Sequence, residues 1–229
     1  MRGTDKSYNP FEKSIWRKKM KRSKLNFMTK TAMLSVIGFL LMFIEIPIPI
    51  FPSFLKMDIS DLPALIGAFI FGPFAGIVIE LIKNILHGLF VGGSAFIGEF
   101  ANFVAGSLLA STAAIIYRRK KTKTNAAISL IAGVVIMSIG TCIIDYFIVF
   151  PLYETLLHFP EVAVVAMGSK INPHITSFNS FLVLSILPFN ILKGIVVSVI
   201  TMAVYKKVSP FIHKEAAEDQ LQKVDSKIS

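Results

Sequence analysis

Cysteine is almost absent from this sequence. The one cysteine, Cys142, excludes a disulfide within the chain and any metal cluster held by several thiolates. It lies within a long apolar run, where a lone cysteine packs as a small hydrophobic side chain. Disulfide-stapled folds and cysteine-ligated metal proteins are therefore excluded.

Charge is also scarce, and it is unevenly distributed. Only 17% of the 229 residues are charged, against about 25% in soluble domains, and 54% are hydrophobic. Long tracts are almost bare of charge, which indicates a multi-pass protein of the cell membrane with lipid as its main solvent. The net charge of +10 does not indicate nucleic-acid binding, because the basic residues cluster beside apolar runs, as the positive-inside rule predicts.

Catalytic signatures are the third absence. The sequence has no Gly-x-Ser-x-Gly, no His-Glu-x-x-His and no Walker lysine loop, so no pattern for ATP hydrolysis is present. His87 has no second histidine at ligand spacing, and we expect no metal site. One enzymatic alternative is an integral-membrane, lipid-modifying enzyme that would use Glu80, His87 and Asp145. Such an enzyme should hold these groups in a catalytic cluster at headgroup depth.

The apolar runs predict an all-α integral membrane protein, a bundle of six transmembrane helices. Three basic segments, at the N-terminus, at 118–123 and from 206 onward, predict that both termini are cytoplasmic. Residues 1–30 form a basic cytoplasmic segment, 31–208 the membrane domain and 209–229 a cytoplasmic tail. The second run breaks at Gly72-Pro73 and spans only about half of the roughly 30 Å hydrocarbon core. The predicted helices are 31–46, 61–72, 73–90, 99–117, 126–153 and 181–208.

Four polar residues share one face of the third predicted helix. The spacing of Glu80, Lys83, Asn84 and His87 places them on one stripe, and such a stripe in a membrane helix faces the bundle interior. One interpretation is an internal Glu80–Lys83 ion pair, with Asn84 holding a neighbouring helix. The other is contact with a ligand or a partner.

The last helix carries a second polar group. Asn190 and Lys193 are three residues apart on one face, just after Pro188, which loosens a helix because it has no N–H to donate. A charge at bilayer depth costs about 2.5–3.5 kcal/mol on insertion scales, so we expect a buried polar ligand or a buried ion pair. Together with Asp145 and the unusually apolar loop at 50–60, these residues outline a pocket open to the outside. An apolar pocket with a few convergent polar groups is typical of a small-molecule site.

Several stretches of the sequence together carry a family resemblance, which covers about residues 28–208. The chain resembles the substrate-binding S components of energy-coupling-factor (ECF) vitamin transporters, in particular the riboflavin-binding members. The matching stretches are Leu55 to Gly67 with Asp58-x-x-Asp61-x-Pro63, Phe71 to Asn84 with Glu80-x-x-Lys83-Asn84, Asp145-Tyr-Phe147, Pro151-Leu-Tyr153 and Pro188-Phe-Asn-Ile-Leu-Lys-Gly194.

The resemblance implies a substrate-binding membrane domain that captures riboflavin from outside. It implies partners too: a transmembrane coupling subunit and two cytoplasmic ATPase subunits that supply the energy. Riboflavin is then a transported ligand and no cofactor is expected, while flavin nucleotides are further candidate ligands. Another vitamin, such as thiamine or a pyridoxine-like compound, is the alternative within the same class.

The resemblance also implies site residues on the loop at 50–60 and on the last three helices. Asn190 and Lys193 match the ligand-contacting Asn-x-x-Lys of the family, although Lys193 could instead pair with an acid across the pocket. Aromatic and apolar side chains suit the flavin rings, and amides and acids suit the pyrimidine edge. The predicted ligand-binding residues are Phe54, Leu55, Lys56, Met57, Asp58, Glu99, Asn102, Asp145, Tyr146, Asn190 and Lys193.

Small residues on the first helix are candidates for docking the coupling subunit. Thr31, Ala32 and Ser35 let another helix approach closely. The family has an Ala-x-x-x-Ala motif on this helix, and it is not literal here. Either Thr31-x-x-x-Ser35 or Ala32-x-x-x-Val36 must take its place.

Overall fold

The part of the chain that the structure describes forms seven helices and one short ribbon. This computed structural model describes residues 10–92, 95–205 and 207, with side chains from Leu25 onward. A two-residue antiparallel ribbon, β1 (Ile46–Pro47) and β2 (Lys56–Met57), follows the first helix and pairs Ile46 with Met57. The helices are α1 (Pro10–Met42), α2 (Asp61–Phe71), α3 (Pro73–Phe90), α4 (Ile97–Tyr117), α5 (Lys123–Leu157), α6 (Glu161–Ser169) and α7 (Phe178–Tyr205).

Five helices in the described part of the chain are long and apolar enough to cross a membrane. They are α3, α4, α5, α7 and the Leu25–Met42 portion of α1. The predicted helical membrane protein is thereby confirmed in its class. The eleven residues of α2 reach only about half of the way across, as the sequence indicated. It ends at Gly72, whose φ of 107° favours glycine, and Pro73 then begins α3.

Several boundaries differ from the predicted ones, most of all at α1 and in the predicted loop at 154–180. Helix α1 begins at Pro10 instead of residue 31, and it ends at Met42 instead of residue 46 because Ile46–Pro47 pairs with Lys56–Met57. The predicted loop at 154–180 contains the helix α6. The ribbon joins the two ends of the loop that follows α1, and we call residues 46–60 the lid.

Each of the two helices α5 and α7 contains one wide, π-helical turn, and a proline shortly after each turn explains why it forms. The turns cover Asp145–Val149 and Leu182–Ile186, and each ends two residues before a proline, Pro151 or Pro188. A proline ring clashes with the carbonyl four residues earlier, and that residue lies in the middle of each wide turn. The wide turns therefore let α5 and α7 continue through their prolines.

Contacts at one end of the bundle bring four chain segments together. Phe27 of α1 packs edge-on against Phe71, with ring centroids 5.6 Å apart. The hydroxyls of Tyr117 and Tyr205 are 2.8 Å apart and join the ends of α4 and α7. Phe69 of α2 also lies against Tyr117, with ring centroids 4.5 Å apart, which connects the two pairs. The start of the membrane portion of α1, the α2–α3 break, the end of α4 and the end of α7 therefore share one end, which we call the basic end. The lid lies at the opposite end of α1.

Candidate ligand-binding site

A cavity of about 430 Å³ lies beneath the lid, between α3, α4, α5 and α7. It separates two apolar clusters: Ala105 belongs to the cluster toward the basic end, Ile186 belongs to the cluster beside the lid, and both line the cavity. Helices contribute most of the polar side chains on its wall, while the lid contributes the apolar Phe54 and Leu55 together with Lys56 and Asp58. The cavity thus has the composition of a small-molecule site.

The structure brings most of the predicted ligand-binding residues together around this cavity, although they come from segments far apart in the chain. Lid, α4, α5 and α7 each contribute. Those that line the cavity are Phe54, Leu55, Lys56, Asp58, Glu99, Asn102, Asp145, Asn190 and Lys193.

Met57 and Tyr146 are predicted site residues that do not line the cavity. Met57 sits in the ribbon opposite Ile46 and is buried, because neighbouring ribbon residues point to opposite faces. Tyr146 follows Asp145 on α5, and its side chain therefore points in another direction. Its ring lies against Phe178, with centroids 5.8 Å apart, and it lines a second cavity of about 350 Å³. These two residues therefore lie outside the cavity that the other predicted residues line.

Several cavity residues were not among the predicted ones, although helical spacing could have found most of them. Thr141 lies one turn before Asp145, and Ile186 one turn before Asn190, so each shares a face with a predicted residue. Phe189 stands in the same relation to Lys193. His87 lies at the end of the α3 stripe and faces the cavity, where its Nδ1 is 3.1 Å from Glu99 Oε1.

Lys193 is bound to acids as well as facing the cavity. Its Nζ donates to Asp58 Oδ2 at 3.0 Å and to Asn102 Oδ1 at 2.8 Å, and Asp61 Oδ2 lies 3.4 Å away. Burial alone would raise the pKa of the Asp58 carboxyl, but the ammonium groups of Lys193 and Lys83 and hydrogen bonds from Ser60 together hold it below its ordinary value. The alternative in which Lys193 pairs with an acid across the pocket is confirmed.

The polar stripe of α3 faces inward, as its spacing predicts, and its first three residues hold the bundle together. Glu80, Lys83, Asn84 and His87 are all buried. Lys83 Nζ lies 2.9 Å from Glu80 Oε2, and Asn84 Oδ1 accepts from Asn102 Nδ2 of α4 at 3.2 Å. The interpretation as an internal ion pair, with Asn84 holding a neighbouring helix, is therefore confirmed for these residues.

Three acids on the cavity wall have partners. Lys56 Nζ is 2.6 Å from Glu45 Oε2, Asp58 is held by Lys193, and Glu99 pairs with His87. Within the described ranges, no three acid, histidine or cysteine side chains are grouped as metal ligands. A wall whose acids are largely paired favours a neutral ligand with polar edges over a cationic one.

The predicted docking residues on α1 do not share one surface. Thr31 and Ser35 are 3% and 0% exposed and face the bundle, whereas Ala32 is exposed. Thr31 and Ser35 are consequently not available on the surface of the folded chain. The structure favours Ala32-x-x-x-Val36 as the outward small-residue face, since Val36 is 47% exposed.

Comparison with known proteins assigns the family. The family described as "ECF transporter, substrate-specific component" matches residues 26–205, most of the chain. The chain belongs to this family. It is therefore a subunit of a membrane transport system and not an enzyme, which removes the lipid-modifying alternative.

Individual relatives of this S component agree. It is 35% identical to the riboflavin transporter RibU of Staphylococcus aureus (strain TCH60), over 86% of this chain and 98% of that protein. It is also 35% identical to the riboflavin transporter FmnP of Bacillus subtilis (strain 168), over 84% and 96% of the two chains. A solved structure of the S component of a bacterial ECF transporter superimposes with a TM-score of 0.66 at 35% identity, covering 82% of this chain and 98% of that one.

Proposed function

We propose that this chain is the riboflavin-binding S component of an ECF-type uptake transporter of the cell membrane. It captures the vitamin from outside, and partner subunits drive its import with ATP. The cavity carries the proposal: its volume of about 430 Å³ lies within the usual range for small-molecule sites, about 300–1,000 Å³, and it combines apolar and amide-bearing walls. The relatives that are named riboflavin transporters, each 35% identical, support this ligand over thiamine or pyridoxine.

The cavity offers complementary groups to each part of riboflavin. Phe54, Leu55 and Phe189 supply apolar surface for the tricyclic ring. Asn190 Nδ2 donates to Ile186 O at 3.0 Å, which leaves its Oδ1 as an acceptor for an N–H of the pyrimidine edge. Asp145, one turn after Thr141, is the second group for that edge. Glu99 and Asn102, on α4, suit the hydroxyls of the ribityl chain.

Purified protein should show the ligand directly. We expect the visible absorption spectrum of the detergent-purified chain to contain bound flavin, because a vitamin-capturing subunit retains its ligand. After removal of the flavin, riboflavin at about one hundred times its dissociation constant should stabilise the fold by about 2.7 kcal/mol in thermal unfolding. Thiamine and pyridoxine at equal concentration serve as controls, and flavin mononucleotide tests whether nucleotides bind. Stabilisation by thiamine or pyridoxine without any by riboflavin would identify a different vitamin.

The orientation in the membrane is part of the same proposal. We infer six membrane segments, with α2 as the short one, both termini and the 118–123 loop in the cytoplasm, and a cavity that opens to the outside. The shared end of α1, α4 and α7 supports this, because the basic clusters of the sequence flank that end. The coupling subunit and two ATPases would then meet the chain from the membrane and from the cytoplasmic side.

Sided labelling tests this orientation. In a Cys142→Ala background, Lys120→Cys and Lys170→Cys each provide one exposed thiol, on the 118–123 loop and after α6. In intact cells, an impermeant thiol reagent should label position 170 and leave position 120 unlabelled until the cells are opened. Labelling of both positions in intact cells would contradict the six-segment orientation.

A further inference from the structure

Lys83 holds the end of the lid although it does not line the cavity. It is fully buried in α3, and its Nζ donates to Ser60 Oγ at 2.8 Å and also contacts Asp61 Oδ1. Its remaining partner is Glu80 Oε2 at 2.9 Å. An ammonium group has three N–H donors, so two of the three bind residues where the lid joins α2. We call Asp58, Ser60 and Asp61 the lid base.

The lid base is held internally and from two other sides as well. Asp58 Oδ1 accepts from the backbone N–H of Ser60 at 2.8 Å, which fixes the turn. From α7, Lys193 binds Asp58 and approaches Asp61. On α1, a Cβ at Gly38 would lie 3.2 Å from Ser60 O and 3.3 Å from Lys83 Cδ, so glycine there lets α1 close over the contact. The position of the lid base, and through it of Phe54 and Leu55, is thus set from three helices.

We propose that Lys83 is a positioning residue that keeps the lid closed over the cavity. It acts through Ser60 and Asp61 and touches no ligand. The effect on vitamin retention rests on the proposed function, but the effect on the lid itself does not. Lys83 thereby has a role distinct from that of Lys193, which both faces the cavity and binds the lid base.

A buried thiol in the lid itself reports its opening. Met57, 7% exposed, is replaced by cysteine in a Cys142→Ala background, and its reaction with a thiol reagent is timed without flavin. Adding Lys83→Met should accelerate labelling about 10- to 100-fold, the effect of losing a hydrogen bond to a charged group. Riboflavin dissociation, measured in the Lys83→Met protein without the reporter, should accelerate by a similar factor. Labelling at the parent rate would overturn the proposal.

Glu80→Gln is the matched control, because Glu80 binds Lys83 without contacting the lid base. Its amide oxygen can still accept from Lys83, and both lid contacts stay in place. We expect a labelling rate within about threefold of that of the parent protein, because the charge that Glu80→Gln removes does not contact the lid. Acceleration equal to that of Lys83→Met would show that the whole ion network matters instead of the lid contacts, and would overturn the proposal. Ser60→Ala, which removes one lid contact, should give an intermediate acceleration.

A second variant covers the possibility that Lys83→Met does not fold. Lys83→Met with Glu80→Gln removes one charge of each sign, so the net charge of the buried network is unchanged. This double variant should label as fast as the single one, and labelling at the parent rate would overturn the proposal. If neither folds, the rate of Ser60→Ala decides. Faster labelling in a chain that binds no riboflavin would leave the lid inference standing and contradict only the proposed function.

Discussion

Lys193→Met should lose tight riboflavin binding while keeping the volume of the side-chain stem. A hydrogen bond to a charged group is worth about 1.5–3 kcal/mol, so each one lost costs about 10- to 100-fold in affinity. Lys193 lies on the cavity wall and binds Asp58 at 3.0 Å and Asn102 at 2.8 Å. Its loss also leaves buried acids without this cation. We therefore expect the free energy of unfolding, measured by thermal unfolding, to fall by about 3–5 kcal/mol. Titration of riboflavin into folded protein measures the first effect.

Comparison with Lys193→Met/Asp58→Asn separates the two ways in which the lysine can act. The double variant restores the net charge of the network, and the new amide can still accept from Ser60 N. Recovery of both stability and affinity would mean that Lys193 acts by neutralising the buried Asp58 carboxylate. Recovery of stability alone would mean that it also donates to the ligand. A folded Lys193→Met protein with unchanged affinity would contradict the assignment of Lys193 to the site.

Local spacing predicted those parts of the site that lie within one helix. The stripe at Glu80, Lys83 and Asn84 is inward because no other face of a membrane helix tolerates it. Asn190 and Lys193, three residues apart, face inward for the same reason. Pro188 indicated that the helix is irregular next to them. In each case the evidence lies within about two helical turns.

The partners of those residues could not be predicted in the same way. Lys193 and Asp58 are 135 positions apart, and nothing in either neighbourhood selects Asp58 over Glu99 or Asp145 as the acid. Asp61 looked like an ordinary helix start, yet it lies between two lysines from α3 and α7. Pairing across a bundle depends on how the helices pack, which hydrophobic spacing does not encode. The two-residue ribbon is likewise too short to leave a pattern.

The same limit explains the docking face of α1. Thr31-x-x-x-Ser35 and Ala32-x-x-x-Val36 have equal spacing, and they differ by one residue, about 100° of rotation. The sequence offers small residues on both faces, so composition cannot choose between them. Burial does choose: Thr31 and Ser35 pack inside, whereas Ala32 faces out beside exposed Met28 and Met33.

Ala32→Trp should abolish riboflavin uptake by the assembled transporter while leaving riboflavin binding in detergent unchanged. Ala32 is the small residue on the outward face of α1, and a bulky ring there would prevent the close helix approach that association in a membrane requires. It lies outside the cavity wall, so the binding site is untouched. Uptake of labelled riboflavin by cells that express all the subunits, together with co-purification of the coupling subunit, measures the loss.

Two tryptophan variants serve as controls for this loss. Ser35→Trp, at a fully buried position three residues along the same helix, should disrupt the bundle itself and lower thermal stability and binding together. Ile131→Trp, at a position on α5 that is 66% exposed, should leave uptake and binding near the parent level. Normal uptake by Ala32→Trp would move the docking surface away from α1. Loss of binding in Ala32→Trp would mean that this face packs within the bundle, contrary to its exposure.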